Sequence, residues 1–259
     1  MQYALKPFSL KNFADITDRK LRERIAEQKL IRLFFDEAPE GNFVEVGANE
    51  PKSTSMTWHL EECGWTGLLV EPIPELCEAL RRERPKSTVL EIACGAPGSP
   101  EYTSFLVTPD LAQSRLGLSA VPSDLTVDRV EQVRVRTLDD VLDEAKLPSL
   151  DFLSIDVEGL QLEVLKGITL SRQCPRLLLV EDHLVDLKTH RYLVQQGYQL
   201  VKRTGLNNWY IPKGAPFSLT SLGERFALVR KLMRTPMRSL KFALKRRGAS
   251  RKAADGAAS

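Results

Sequence analysis

No run of about 18 uninterrupted apolar residues occurs in this chain, so no membrane-spanning helix is expected. The opening residues, MQYALKPFSLKNF, lack a long apolar core and a small-residue cleavage site, which argues against a secretory signal. The four cysteines, Cys63, Cys77, Cys94 and Cys174, include no Cys-x-x-Cys pair. They read as reduced, mostly buried thiols of a cytosolic protein, not as a zinc site or a disulfide framework. Glycine is scarce where it would be diagnostic. The stretch Gly47-Ala48-Asn49-Glu50-Pro51-Lys52-Ser53 holds one glycine and a proline, not Gly-x-Gly-x-x-Gly. Too few positions there let the backbone approach a pyrophosphate. No predicted helix carries a tyrosine followed four residues later by a lysine, so the signature of a nicotinamide-dependent oxidoreductase or epimerase is missing as well.

What is present is an ordinary globular composition, 42% apolar and 27% charged over 259 residues. That length suits one large α/β domain with short extensions. Residues 222–259 hold 11 Lys/Arg against two acids, while residues 1–221 hold 26 against 32. The body is thus mildly acidic, and the basic tail is expected to have its own partner.

Helical spacing predicts an N-terminal helix over 15–38, ended by Pro39 and Gly41. From residue 43 apolar strands alternate with helical stretches, the pattern of a mostly parallel sheet with helices on both faces. Strands are expected at 43–47, 67–71, 87–92, 151–156 and 176–181, and helices at 54–63, 74–84, 137–145, 159–167 and 185–196. Residues 199–203 and 208–211 have hairpin spacing around Gly205. Two further strands, 102–107 and 131–136, flank a polar loop at 108–124 that reads as an insertion or lid. The domains follow: a helical extension over 1–40, the main domain over 41–213, and a tail over 214–259 whose last residues look disordered.

The run Phe43-Val44-Glu45-Val46-Gly47-Ala48-Asn49-Glu50 ends a strand in an acid, a glycine and a turn. One βα unit later, Leu68-Leu69-Val70 closes on Glu71. A glycine on one strand end and a carboxylate on the next is how an α/β sheet holds an adenosine. S-adenosylmethionine has no phosphates and needs one close backbone contact, an acid for its ribose and a slot for adenine. Glu45, Gly47, Asn49 and Ser53 could supply the first and Glu71 the second. The third falls near Glu91-Ile92-Ala93-Cys94, with Ala93 at its centre. The bland alternative has Glu45 and Glu71 as strand-end carboxylates facing water.

Five segments, FVEVGANEPKS, GWTGLLVEPIP, FLSIDVEGLQLEVLKG, LLLVEDH and NNWYIP, resemble the successive motifs of FkbM-type S-adenosylmethionine-dependent methyltransferases. The resemblance spans about residues 40–212. Pro51, Ser154 and Gln161 stand where that pattern carries glycine, lysine and glutamate. It implies a Rossmann-like seven-stranded methyltransferase sheet with an antiparallel final hairpin, and O-methylation of sugars or related hydroxyls.

Asp156 and Glu158 fall at the end of the fourth strand, and Glu181, Asp182 and His183 at the end of the fifth. Adjacent strands lie about 5 Å apart, so these groups should converge in one crevice. Two arrangements could take a proton from an acceptor hydroxyl. In one, Asp156, Glu181 and Asp182 hold Mg²⁺, with Glu158 or His183 as base. In the other, His183 acts with Glu181 or Asp182 orienting its ring. His59 and His190 read as packing or surface residues.

In the tail, Phe226, Val229, Leu232, Met233, Met237, Leu240 and Leu244 follow one helical stripe among arginines and lysines, with Pro236 expected to kink it. Such a stretch can lie on an anionic membrane over residues 222–252. Nucleic acid is not expected, because the body is acidic and aromatic interleaving is scarce. The sequence therefore predicts a cytosolic methyltransferase, peripheral to the inner face of the membrane, acting on a saccharide or glycolipid precursor. A non-catalytic module with the same fold is the remaining competitor, and the complete acid set at 156, 158, 181 and 182 argues against it.

Overall fold

Strands buried on both faces need largely apolar runs, and Phe152–Ile155, apolar but for Ser154, and Leu177–Glu181, apolar up to its last residue, are two such runs. In the computed structural model they lie near the centre of the main sheet. The structure describes residues 19–117, 125–182 and 187–235. Helix α1 (Arg19–Phe34) precedes β1 (Asn42–Val46), α2 (Trp58–Glu61), β2 (Thr66–Val70), α3 (Pro74–Glu83) and β3 (Ser87–Leu90). Next come β4 (Ala93–Cys94), β5 (Tyr102–Val107), β6 (Arg115–Leu116) and β7 (Arg129–Arg136). The chain returns through α4 (Leu138–Ala145), β8 (Phe152–Ile155), α5 (Gln161–Lys166), α6 (Leu170–Gln173), β9 (Leu177–Glu181) and α7 (Lys188–Gln195). A hairpin of β10 (Tyr198–Thr204) and β11 (Asn207–Pro212) leads to α8 (Leu222–Met233).

The main sheet has seven strands in the order β10-β11-β9-β8-β1-β2-β3. Strands β3, β2, β1, β8 and β9 are parallel, and β11 runs antiparallel to both neighbours. The chain leaves β1 toward β3 and later resumes at β8 on the other side. A crevice therefore opens where β1 meets β8, at the carboxyl ends of the strands.

Alternation along each strand divides the core in two. Val44, Val46, Leu153, Ile155, Leu178 and Val180 pack with residues of α4, α5 and α7. Phe43, Leu69, Phe152, Leu177 and Leu179 pack with Ile31, Phe35, Leu60 and Leu80 from the α1, α2 and α3 side. Helices cover both faces, as the sequence predicts.

Three expectations are revised. Helix α1 stops at Phe34, short of residue 38, because Asp36 and Glu37 adopt φ of +52° and +54°. The helix expected over 54–63 shrinks to Trp58–Glu61. Residues 51–57 instead form a loop gathered around Glu45, which accepts from Met56 N at 2.6 Å, Ser55 Oγ at 2.8 Å and Thr57 Oγ1 at 2.6 Å. The insertion is more than a loop: β4, β7, β5 and β6 make a second, four-stranded sheet. The expected kink at Pro236 and the disordered end lie outside the described residues.

The loop is fastened from below by Arg84, whose side chain is 0% exposed. It donates to Glu61 Oε2 at 2.7 Å, Ser55 Oγ at 3.0 Å, Thr57 Oγ1 at 2.9 Å and the Pro51 carbonyl at 3.1 Å. Removing one partner of a buried ion pair leaves the other charge uncompensated. Arg84→Leu should therefore cost about 3–5 kcal/mol, read as a lower urea midpoint, whereas a surface change such as Arg82→Leu should stay near wild type.

Candidate active site

Parallel registers set the site. Val46 pairs with Val70 on one side and Ile155 on the other, and Ile155 pairs with Val180. One residue beyond this row stand Glu71, Gly47, Asp156 and Glu181, in that order across β2, β1, β8 and β9. Backbone bonds carry the ladder to this row, from Gly47 N to the Val70 carbonyl at 2.9 Å and from Asp156 N to the Val46 carbonyl at 2.9 Å.

Gly47 is the gap in a row of carboxylates. Its φ is +80°, and a Cβ placed there would lie 1.9 Å from the backbone oxygen of Asp156. No other residue fits without moving the strand. The next turn is also left-handed at Asn49, with φ of +52°.

Glu71 is only 4% exposed and accepts from Asn49 N at 2.9 Å and Ile73 N at 3.0 Å. Burial lifts its carboxyl to about 7, outweighing those two backbone donors. Each carboxylate oxygen keeps a second lone pair for a ligand hydroxyl. Glu45 is also buried, but its oxygens are engaged by the 55–57 loop, so it shapes the cavity wall.

A cavity of about 420 Å³ opens over the row. Gly47, Asn49 and Glu71 line it, as do Ile92, Ala93 and Cys94 where the adenine slot was expected. Phe105 and residues 110–116 of the insertion also line it, as does Arg24 of α1. Ser53 does not line it; it is exposed, and its hydroxyl donates to Glu50.

Asp156 and Glu181 stand side by side, each one residue past the paired Ile155 and Val180. Asp156 faces open cavity space, yet the protein crowding around it, followed by the Glu181 charge, pushes its carboxyl well above the usual range, while Arg24 pulls the other way. Glu158 meets Arg115 Nη2 at 3.1 Å. A second cavity, of about 380 Å³, shares Arg115, Asp156, Glu158, Leu160 and Glu181 with the first.

The three acids read as a magnesium set do not form one. Among the described residues no group of three His, Cys, Asp or Glu side chains is placed to hold a metal. All three line the second cavity, but Asp182 follows the end of β9 and its charge bears on Tyr210. The Asp182 carbonyl is held by Arg203 at 2.7 Å and by Asn208 at 3.3 Å. His183 lies outside the described residues. His59 is buried and neutral, its pKa lowered to about 3 by burial, and its Nε2 lies 2.8 Å from the Met56 carbonyl. His190 lies 3.2 Å from the Tyr210 hydroxyl.

A family model described as the methyltransferase FkbM domain matches residues 45–200, which include all four residues of the row. The chain belongs to the FkbM methyltransferase family. This membership replaces the nicotinamide alternative. Among curated relatives of this FkbM protein, the hexuronic acid methyltransferase AglP of Haloferax volcanii is 28% identical over 194 residues, covering 73% of this chain and 76% of that one. A solved FkbM methyltransferase from Methylobacillus flagellatus KT superposes with a TM-score of 0.43 at 21% identity, covering 67% of this chain and 44% of that one. A precorrin-6y C5,15-methyltransferase from Geobacter metallireducens GS-15 gives 0.37 at 15% identity, covering 75% and 90%.

Sequence reasoning did not find Arg24, Arg115 or Phe105. Arg24 belongs to a helix full of arginines, and only the hydrogen bonds of its neighbours set its direction. Glu27, one turn on, is buried against Asn207 Nδ2 at 2.8 Å and Trp209 Nε1 at 3.1 Å, and it also accepts from Thr204 Oγ1. Gln28 donates to the Ser55 carbonyl at 2.8 Å. With those two turned inward, Arg24 Nη1 reaches the Thr54 carbonyl at the cavity wall.

Proposed function

We propose that this FkbM protein is an S-adenosylmethionine-dependent O-methyltransferase whose acceptor is a saccharide hydroxyl. The order of groups along the sheet edge carries the reading. An apolar slot of Ile92, Ala93, Cys94 and Phe105 suits adenine, Glu71 accepts from ribose hydroxyls, and Gly47 leaves room for a chain to pass. Beyond Gly47 the charges match a zwitterion: the Asp156 and Glu181 carboxyl groups suit an ammonium, and Arg24 offers a guanidinium to a carboxylate. Bound there, the sulfonium supplies an electrophilic methyl group.

The second cavity supplies the acceptor side. Asp156, Glu158, Glu163, Glu181 and Asp182 line it, and acids arrayed this way accept hydrogen bonds from a polyol. Glu158 stands on the wall shared by the two cavities, steadied by Arg115, in the position to take the proton of the attacking hydroxyl. The saccharide class also draws support from the name of the H. volcanii relative. Four free thiols suit a cytosolic protein.

Calorimetric titration with S-adenosylhomocysteine tests the cofactor site, and Glu71→Gln should weaken binding. Because the ribose contact uses the carboxylate and burial holds the free Glu71 near 7, a proton must leave before the ligand binds. Wild-type affinity should thus climb as pH rises from about 6 to about 8, while the Glu71→Gln profile stays flat. An unchanged affinity in that variant would count against the site.

Arg24→Ala separates the two ends of the cofactor. It should weaken S-adenosylhomocysteine by about tenfold or more yet leave 5′-methylthioadenosine, which lacks the amino-acid carboxylate, unaffected. For the acceptor, mass spectrometry of glycans from cells with and without the protein should reveal one methyl group missing per modified unit. Unaltered glycans would remove the saccharide assignment and leave the nucleoside site standing.

A further inference from the structure

Helix α8 turns its apolar side away from the protein. Leu222 is 73% exposed, Phe226 75%, Val229 55% and Met233 77%, a spacing of four, three and four that forms one stripe. Its opposite side meets β10. The buried Lys202 ammonium donates to Glu224 Oε1 at 2.6 Å and to the Leu219 carbonyl at 2.9 Å. Glu224 also closes a capping box with Ser221, so the helix start and its rotation are fixed together. Leu228 and Leu232 lie toward the body, half-buried. At 100° per residue, Arg225 and Arg230 fall on either side of the exposed stripe, each about 70° from its centre.

A soluble surface rarely exposes four large apolar side chains in a line. Arginines on both flanks add the charge pattern of a helix that lies in a membrane interface. Over 222–259 the excess of basic residues is nine, against a body with six surplus acids. The acidic body would repel an anionic surface, so attraction concentrates at this helix. By sequence, Met237, Leu240 and Leu244 repeat the stripe's spacing beyond Pro236.

We propose that α8 is a docking surface for anionic lipid, with Leu222, Phe226, Val229 and Met233 entering the headgroup boundary and Arg225 and Arg230 meeting the lipid charges. This surface is separate from the methyl-transfer site, and its test does not depend on activity. The full chain should co-sediment with phosphatidylglycerol-rich vesicles, not with phosphatidylcholine vesicles, and should release as salt rises. Phe226→Glu with Met233→Glu should lower partitioning at least about tenfold, and Arg225→Ser with Arg230→Ser by about 30-fold. S-adenosylhomocysteine affinity measured on the same variants reports whether the fold survives. Equal binding to neutral vesicles, no binding to either kind, or wild-type partitioning of both variants overturns the proposal. So does a dimer in sedimentation that Phe226→Glu dissolves, since a second copy would then be what covers the stripe.

Discussion

The contact between Gly47 and the backbone of Asp156 sets the rest of this molecule. With 1.9 Å between a hypothetical Cβ and that oxygen, β1 and β8 can close their ladder only if residue 47 has no side chain. Strand ends about 5 Å apart would otherwise present an unbroken row of side chains. One missing member opens a slot, and its neighbours on either side are carboxylates. A ligand threaded through that slot must have a chain narrow enough to touch peptide and groups at each end that suit acids.

The acids of this edge are not equivalent, although the sequence places them in similar strand-end motifs. Glu45 is satisfied by three donors of the 55–57 loop, and its work is architectural. Glu71 has two backbone donors but pays for burial with a carboxyl lifted to about 7, which makes its charge state responsive near neutrality. Asp156 is crowded by protein and by the Glu181 charge, which push its carboxyl well up, while Arg24 pulls the other way.

Much of this was legible in the sequence because parallel strands buried on both faces must be largely apolar, as LLLV is and as FLSI is but for Ser154. The glycine gap and Glu71 could be read for the same reason: each terminates such a run. Residues 51–57 misled because their conformation is decided by Glu45 and Arg84, which lie outside the segment and leave no periodic trace in it. Asp182 misled because it follows the end of β9, where the last hairpin holds its carbonyl through Arg203 and Asn208. Arg24 was invisible for a different reason. Its helix carries several arginines, and only the burial of Glu27 and Gln28 decides which of them faces the cavity.

Glu27 also shows why the segment before β1 belongs to the working core. It is a buried acid, its carboxyl raised by burial, and it is held by Thr204, Asn207 and Trp209 of the last hairpin. That hairpin fixes α1, and α1 one turn earlier fixes Arg24 at the cavity. The same hairpin, through Lys202, fixes the rotation of α8. The cavity wall and the exposed stripe are therefore referred to one rigid pair of strands. A surface that holds the stripe would also set the direction in which the crevice faces, so an acceptor anchored in that surface would meet the crevice at a defined angle instead of by free tumbling.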